Sequence, residues 1–292
     1  MYNLNIFSPA VMLFLCLIAC RPQYEVDLTP GNLSSETFTW DGEEREYLLY
    51  FPANYVDTKA VPLLLSFHGA FGTKEKQYEL SQFHQLADEE NFILVTPESQ
   101  NLTWNHTGDP GRADDIGFIN ALLDDLLSRY PIDPDRVYAA GSSNGGYFSF
   151  QLACELSDRI ASVVSVKGGM NEAQLSSCDP TRPVPVLQLH GTEDQNVPYE
   201  VAEAAINFWK SHNQTASTPT ITDLPDIDPQ DGSTVQYFIF GDGQNDATVE
   251  HFKVIGGGHN WFGSELEPDN NDINASEEAW KFLKKFDLNG IR

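Results

Sequence analysis

From Pro62 onward, short apolar runs alternate with longer stretches in which apolar side chains recur at helical spacing. The pattern predicts strands at Leu63 to Phe67, Phe92 to Thr96, Arg136 to Ala140, Ile160 to Val166 and Val184 to Leu189. It predicts helices at Glu75 to Glu90, Ala113 to Arg129, Gly146 to Leu156 and Tyr199 to Ser211. Strands that are apolar at nearly every position are covered on both faces, so the alternation predicts an α/β fold: a mostly parallel sheet with helices on both sides. Upstream, Phe38 to Trp40 and Tyr47 to Phe51 flank Asp41-Gly42, which predicts an antiparallel hairpin at the sheet edge. Residues Asn213 to Gly232 are rich in Thr, Pro, Asp and Gly and read as a long surface loop. Strands near Val235 to Phe240 and Val249 to Ile255 and a helix from Ala275 to Phe286 close the domain. No internal repeat or second core interrupts the pattern, so residues 36–292 are expected to form one domain.

The first 19 residues break the pattern. They carry no charge and hold an apolar run, Val11 to Ala19, too short to span a bilayer as a helix. This reads as a secretion signal. Its end, Leu17-Ile18-Ala19-Cys20, resembles the lipobox of bacterial lipoproteins, which implies acylation of Cys20 and a membrane-anchored, exported protein. An ordinary signal peptide with a coincidental cysteine is the alternative. Residues 20–35 then read as a polar tether.

With 43 acidic and 17 basic residues the chain carries a net charge of −26, all of it after position 19. Such a charge repels nucleic acid and anionic lipid and excludes a nucleic-acid partner or a polybasic membrane contact. Beyond the signal, Cys154 and Cys178 remain, as a disulfide or as two buried thiols.

Chemistry concentrates at three places. Gly141-Ser142-Ser143-Asn144-Gly145 fits G-x-S-x-G directly after a predicted strand and before a predicted helix. That context predicts a sharp turn exposing the Ser143 hydroxyl. A serine needs a base held by an acid, and in this fold they follow in the order Ser, Asp, His. The strand ending at Leu189 runs into His190-Gly191-Thr192-Glu193-Asp194, an acidic pair at a strand's carboxyl end. Asp194 is the expected acid, because H-G-x-x-D-x-x-V-P resembles the acid loop of many hydrolases, and Glu193 is the alternative. Gly256-Gly257-Gly258-His259 follows the last strand and supplies the expected base, His259. His84, His106, His212 and His251 read as structural, and His190 as a brace for the acid loop. An oxyanion hole needs two amide donors. Asn144 should give one, and the loop His68-Gly69-Ala70-Phe71 the other, from Ala70 or alternatively Phe71.

His68-Gly69, Trp104-Asn105, Asp114 to Ile119, Asp135 to Tyr138, Gly141 to Gly146, Leu152 to Glu155, His190 to Thr192 and Gly256 to Trp261 together resemble the secreted polyhydroxybutyrate-depolymerase-like esterases. That group includes the feruloyl and acetyl xylan esterases of carbohydrate esterase family one and mycobacterial lipoprotein esterases. The resemblance implies an α/β-hydrolase fold, a serine esterase, and no metal or organic cofactor. Against the family pattern, Ala70 stands where many relatives have Cys, and the C-terminal loop has no cysteine. At most a Cys154–Cys178 bridge remains, and it is the expected pairing. Phe262 replaces the usual Pro after Trp261 and puts the pocket rim in question.

These residues predict hydrolysis through an acyl-enzyme on Ser143, of feruloyl, acetyl or similar esters carried on polysaccharides or their fragments, by a monomer. Trp104 and Trp261 are expected at the pocket mouth, where flat rings stack on a sugar or phenol; Trp40, Trp209 and Trp280 read as core. The alternatives are a polyhydroxybutyrate depolymerase, or a non-catalytic surface binding lipoprotein on a hydrolase scaffold. Asp269-Asn270-Asn271-Asp272 lacks the spacing of a calcium loop and reads as a turn before a helix capped by Asn274 or Ser276.

Overall fold

A computed structural model describes residues 29–292. The predicted signal segment, Cys20 and most of the predicted tether lie outside the described residues. The elements run β1 (Leu33–Trp40), β2 (Glu43–Tyr50), β3 (Val61–Phe67), α1 (Lys74–Ser81), α2 (Phe83–Glu90), β4 (Ile93–Pro97), α3 (Asp115–Arg129), β5 (Ile132–Ser142) and α4 (Asn144–Glu155). They continue as β6 (Ser162–Val166), α5 (Glu172–Ser177), β7 (Val186–Gly191), α6 (Tyr199–Asn213), β8 (Thr220–Asp223), β9 (Thr234–Phe240), β10 (Val249–Ile255) and α7 (Ala275–Leu283).

Ten strands form one sheet in the order β1-β2-β4-β3-β5-β6-β7-β10-β9-β8. The centre, from β4 to β10, is parallel throughout. Antiparallel strands finish both ends: β1 and β2 on one side, β9 and β8 on the other. This is the α/β-hydrolase arrangement. Successive side chains of the central strands point to opposite faces, and each face has its own apolar layer. Leu63, Leu65, Val95, Ala139 and Val163 pack against α3, α4 and α6. Leu64, Leu94, Tyr138, Val164 and Leu187 pack against α1, α2 and α7.

Three local expectations change. The predicted helix from Glu75 to Glu90 is two helices, because Gln82 takes a left-handed conformation (φ 49°) and the chain turns there. The first strand starts at Leu33, inside the predicted tether, since pairing with the Leu49–Tyr50 end of β2 satisfies its backbone. The predicted loop from Asn213 to Gly232 contains β8, whose four side chains are all exposed, so no apolar alternation marked it.

Cys154, near the end of α4, is bonded to Cys178, which follows α5, with Cα atoms 5.0 Å apart. The link closes a loop across a sequence separation of 24. Closing such a loop stabilises the fold by about 3 kcal/mol, mainly by restricting the unfolded chain. Reducing it should lower the unfolding free energy by that amount, measured in urea with and without reductant, and two free thiols in unreduced, unfolded protein would contradict the pairing.

Candidate active site

The carboxyl ends of β3, β5, β6, β7 and β10 all open on one side of the sheet, and the predicted residues lie there. Ser143 follows β5 directly, at φ 52° and ψ −115°, a conformation unusual for a residue with a side chain. Three glycines make room for it. A Cβ on Gly141 would sit 2.2 Å from the Gly145 carbonyl oxygen, one on Gly145 2.3 Å from the Phe67 carbonyl oxygen, and one on Gly146 2.5 Å from Ser165 Oγ. The turn is fixed by backbone bonds: the Ser143 amide donates to the Val166 carbonyl at 2.9 Å, and the amides of Gly146 and Tyr147 donate to the Ser143 carbonyl. Ser143 therefore stands at the amino end of α4, where the helix presents unpaired N–H groups and positive potential.

Asp194 lies in the loop after β7 with its side chain fully buried. One carboxylate oxygen accepts the amides of Asn196 and Val197, both at 2.8 Å. The other meets Nδ1 of His259 at 2.6 Å. Burial raises the carboxyl's pKa, but the His259 contact and the two amides more than reverse this, so it lies below its ordinary value. The ionised carboxylate therefore stabilises the fold at neutral pH, and that contribution is lost as pH falls through the depressed folded value. Glu193 is exposed and bonded through its backbone amide to the Gly257 carbonyl. It is Asp194 that reaches the histidine.

His190 is buried behind the acid loop. Gln188 Nε2 donates to its Nδ1 at 3.1 Å, and its own Nε2 donates to the Val197 carbonyl at 2.9 Å. Burial holds its pKa below the ordinary histidine value, so it stays neutral and braces Val197, whose amide binds Asp194.

Ser143 and His259 line the same cavity of about 260 Å³, together with His68, Gly69, Ala70, Phe71, Gln77, Leu80, Lys167 and Glu267. No hydrogen bond joins the side chains of Ser143 and His259. The loop after β3 forms its second wall: a Cβ on Gly69 would lie 3.3 Å from Ser143 Cβ. The Phe71 amide is already committed to the Leu102 carbonyl at 2.8 Å. The amides of Ala70, which lines the cavity, and of Asn144, the residue after Ser143, have no hydrogen-bond partner among the described residues.

Trp104 and Trp261 are not at the mouth. They are 0% and 1% exposed. Trp104 stacks on Phe148, donates its indole N–H to the His68 carbonyl at 3.0 Å, and its amide donates to Asn144 Oδ1 at 2.7 Å. It supports both amide-bearing loops from beneath. Trp261 packs edge-on against Phe83 and donates to Ser276 Oγ. Phe262 is also buried and stays out of the cavity lining. In their place the exposed apolar residues at the opening are Phe71, 75% exposed, and Leu266, 62% exposed. A second, shallower cavity of about 330 Å³ shares Lys76, Leu80 and Glu267 with the first and continues it toward Leu266.

Lys167 and Glu267 were not anticipated from the sequence. A signal did exist for one of them: Lys167 is a charge set directly after a fully buried parallel strand. Asp269 to Asp272 serves the histidine loop and the adjacent surface. Asp269 accepts the Gly258 amide at 2.6 Å and Asp272 the Ile227 amide, while Asn274 caps α7.

A family model described as Phospholipase/Carboxylesterase matches residues 105–240. The bifunctional acetylxylan esterase/xylanase XynS20E of Neocallimastix patriciarum is 27% identical over 85% of this chain and 34% of its own length. Feruloyl esterase D of Neurospora crassa is 25% identical over 88% of both chains. The acetyl xylan esterase from Aspergillus awamori superposes with a TM-score of 0.67 at 16% identity, covering 87% of this chain and 99% of that one, which shows a shared fold. The described domain thus has an α/β-hydrolase fold. It is related at low identity to feruloyl and acetyl-xylan esterases, although it spans only about a third of the first of these relatives.

A buried tryptophan acts through packing. Trp261→Ala should cost about 3–5 kcal/mol of stability in urea denaturation, with the preference among acyl groups unchanged in the protein that remains folded. A shifted preference at unchanged stability would return Trp261 to the substrate.

Proposed function

We propose that the chain hydrolyses carboxylic esters through an acyl-enzyme on Ser143, and that its substrates are feruloyl, acetyl or similar short esters carried on polysaccharides or their fragments. The observation that carries this is the 2.6 Å contact of His259 with buried Asp194, in a cavity that Ser143 shares. Asp194 holds the imidazole with Nδ1 protonated, which leaves Nε2 free to take a proton. Ser143 Oγ attacks the acyl carbon as His259 takes its proton, and the amides of Ala70 and Asn144 hold the carbonyl oxygen as it becomes an oxyanion. Collapse expels the alcohol, which receives that proton. Water, deprotonated by His259, then attacks the acyl-enzyme, and the carboxylic acid leaves as Ser143 recovers its proton.

The shape of the opening favours small or planar acyl groups. The cavity is modest, its continuation passes Leu80 and Leu266, and the Phe71 ring is held at the rim by the bond from its own amide to Leu102. Feruloyl and acetylxylan esterases among the relatives support the same substrate class. Export with a lipid-anchored Cys20, and a monomeric state, belong to the proposal and rest on the sequence alone.

Ser143→Ala and His259→Ala should each lower turnover of 4-nitrophenyl acetate by several powers of ten with the circular dichroism spectrum unchanged. Phe71→Ala should lower kcat/KM for methyl ferulate more than for the acetate. A non-catalytic binding protein would show no turnover to lose, and a preference for long-chain acyl esters would sink the carbohydrate-ester assignment.

A further inference from the structure

We propose that Lys167 and Glu267 form a clamp that positions His259. This rests on the assignment of His259 as the base. Lys167 follows β6 with a left-handed backbone (φ 49°) that only tight surroundings maintain, and its amide donates to the Leu189 carbonyl at 2.8 Å. Its side chain is 3% exposed and lines the cavity beside Ser143. Nζ pairs with the Glu267 carboxylate and reaches the His259 carbonyl at 3.4 Å. The same Glu267 carboxylate accepts the Trp261 amide at 2.7 Å, and the Glu267 carbonyl accepts Asn260 Nδ2 at 3.4 Å. Residues 259, 260 and 261 are therefore each tied to this one pair.

The other end of the clamp abuts the nucleophile. Gly168 lies so close that a Cβ on it would stand 2.6 Å from the Ser143 carbonyl oxygen. The pair thus joins the strand end packed on Ser143 to the loop that carries His259, across about 100 residues of sequence. Ion pairs taken out of water add little net stability, because desolvation offsets the attraction. Burial indeed lowers the Lys167 pKa, and the attraction of Glu267 recovers only part of it. What the pair supplies is position, and a loop opened by three consecutive glycines needs it.

The test compares wild type with Lys167→Met, Glu267→Gln and the double variant, using 4-nitrophenyl acetate and the far-downfield proton resonance of His259 Nδ1–H. A clamp predicts that each single change lowers kcat roughly tenfold or more with KM nearly constant. It also predicts that the double variant is no worse than the poorer single one, and that the downfield resonance broadens in all three. Glu267, 32% exposed, tolerates substitution and carries the test should Lys167→Met not fold. Unchanged kcat and an unchanged resonance in Glu267→Gln would overturn the clamp, as would a rise in KM at constant kcat, which would make the pair a substrate contact. If wild type hydrolysed no ester, the functional assignment would fail, and the resonance would still decide whether the clamp holds His259.

Discussion

The site depends on one strained turn. Ser143 is held at φ 52° and ψ −115°, which costs on the order of 1–3 kcal/mol, and the surrounding structure keeps it there. The Val166 carbonyl fixes its amide, α4 fixes its carbonyl, and the glycines at 141, 145 and 146 allow close contacts, with backbone at 141 and 145 and with Ser165 Oγ at 146, that a side chain would prevent. The consequence is geometric. A residue in an ordinary conformation at this point would continue into the helix with its side chain against the sheet, and the hydroxyl would not face the cavity. The loop after β3 packs tightly on Ser143 where Gly69 is bare: a Cβ there would stand 3.3 Å from Ser143 Cβ.

Around this turn the parallel strands do the assembling. Neighbouring strands β3, β5, β6, β7 and β10 end on the same edge, so segments far apart in sequence deliver the Ala70 loop, Ser143, Lys167, Asp194 and His259 into one space. Electrostatics then decides which groups are charged. Asp194 keeps its charge despite burial because two amides and the His259 imidazole bind it, whereas at His190 burial outweighs the attraction of an Asp194 oxygen 3.3 Å from Nε2, and the ring stays neutral with Nε2 donating to the Val197 carbonyl. The large negative charge of the chain lies mostly on solvated side chains and takes no part in this balance.

Much of this was legible in the residues. G-S-S-N-G between a buried strand and a helix located the sharp turn that carries Ser143, and the alternation of apolar strands with helices gave the sheet, since both are local properties. The acid was legible only as a pair. Choosing Asp194 over Glu193 needed either a resemblance or the amides of Asn196 and Val197, which are a property of the folded loop. The tryptophans misled for a physical reason: Trp104 and Trp261 flank motif residues whether the ring faces the cavity or the core, and one position along an irregular segment does not reveal which. Phe71 was the less obvious rim residue because its exposure follows from a positive φ and from a bond to Leu102 some thirty residues away. Gln82 broke a helix without a proline or glycine to announce it, and the Lys167–Glu267 pair joins partners that no local pattern connects.

For the proposed ester hydrolysis, the turn must present Ser143 as an activated nucleophile. The most direct measurement is reaction of the folded protein with a fluorophosphonate ester, followed by tandem mass spectrometry of the peptide spanning Arg136 to Lys167. A single phosphonyl adduct on Ser143, absent from denatured protein and formed far more slowly in His259→Ala, is the expected result. An adduct on Ser142 or on another residue, or equal labelling of folded and unfolded chains, would contradict the account.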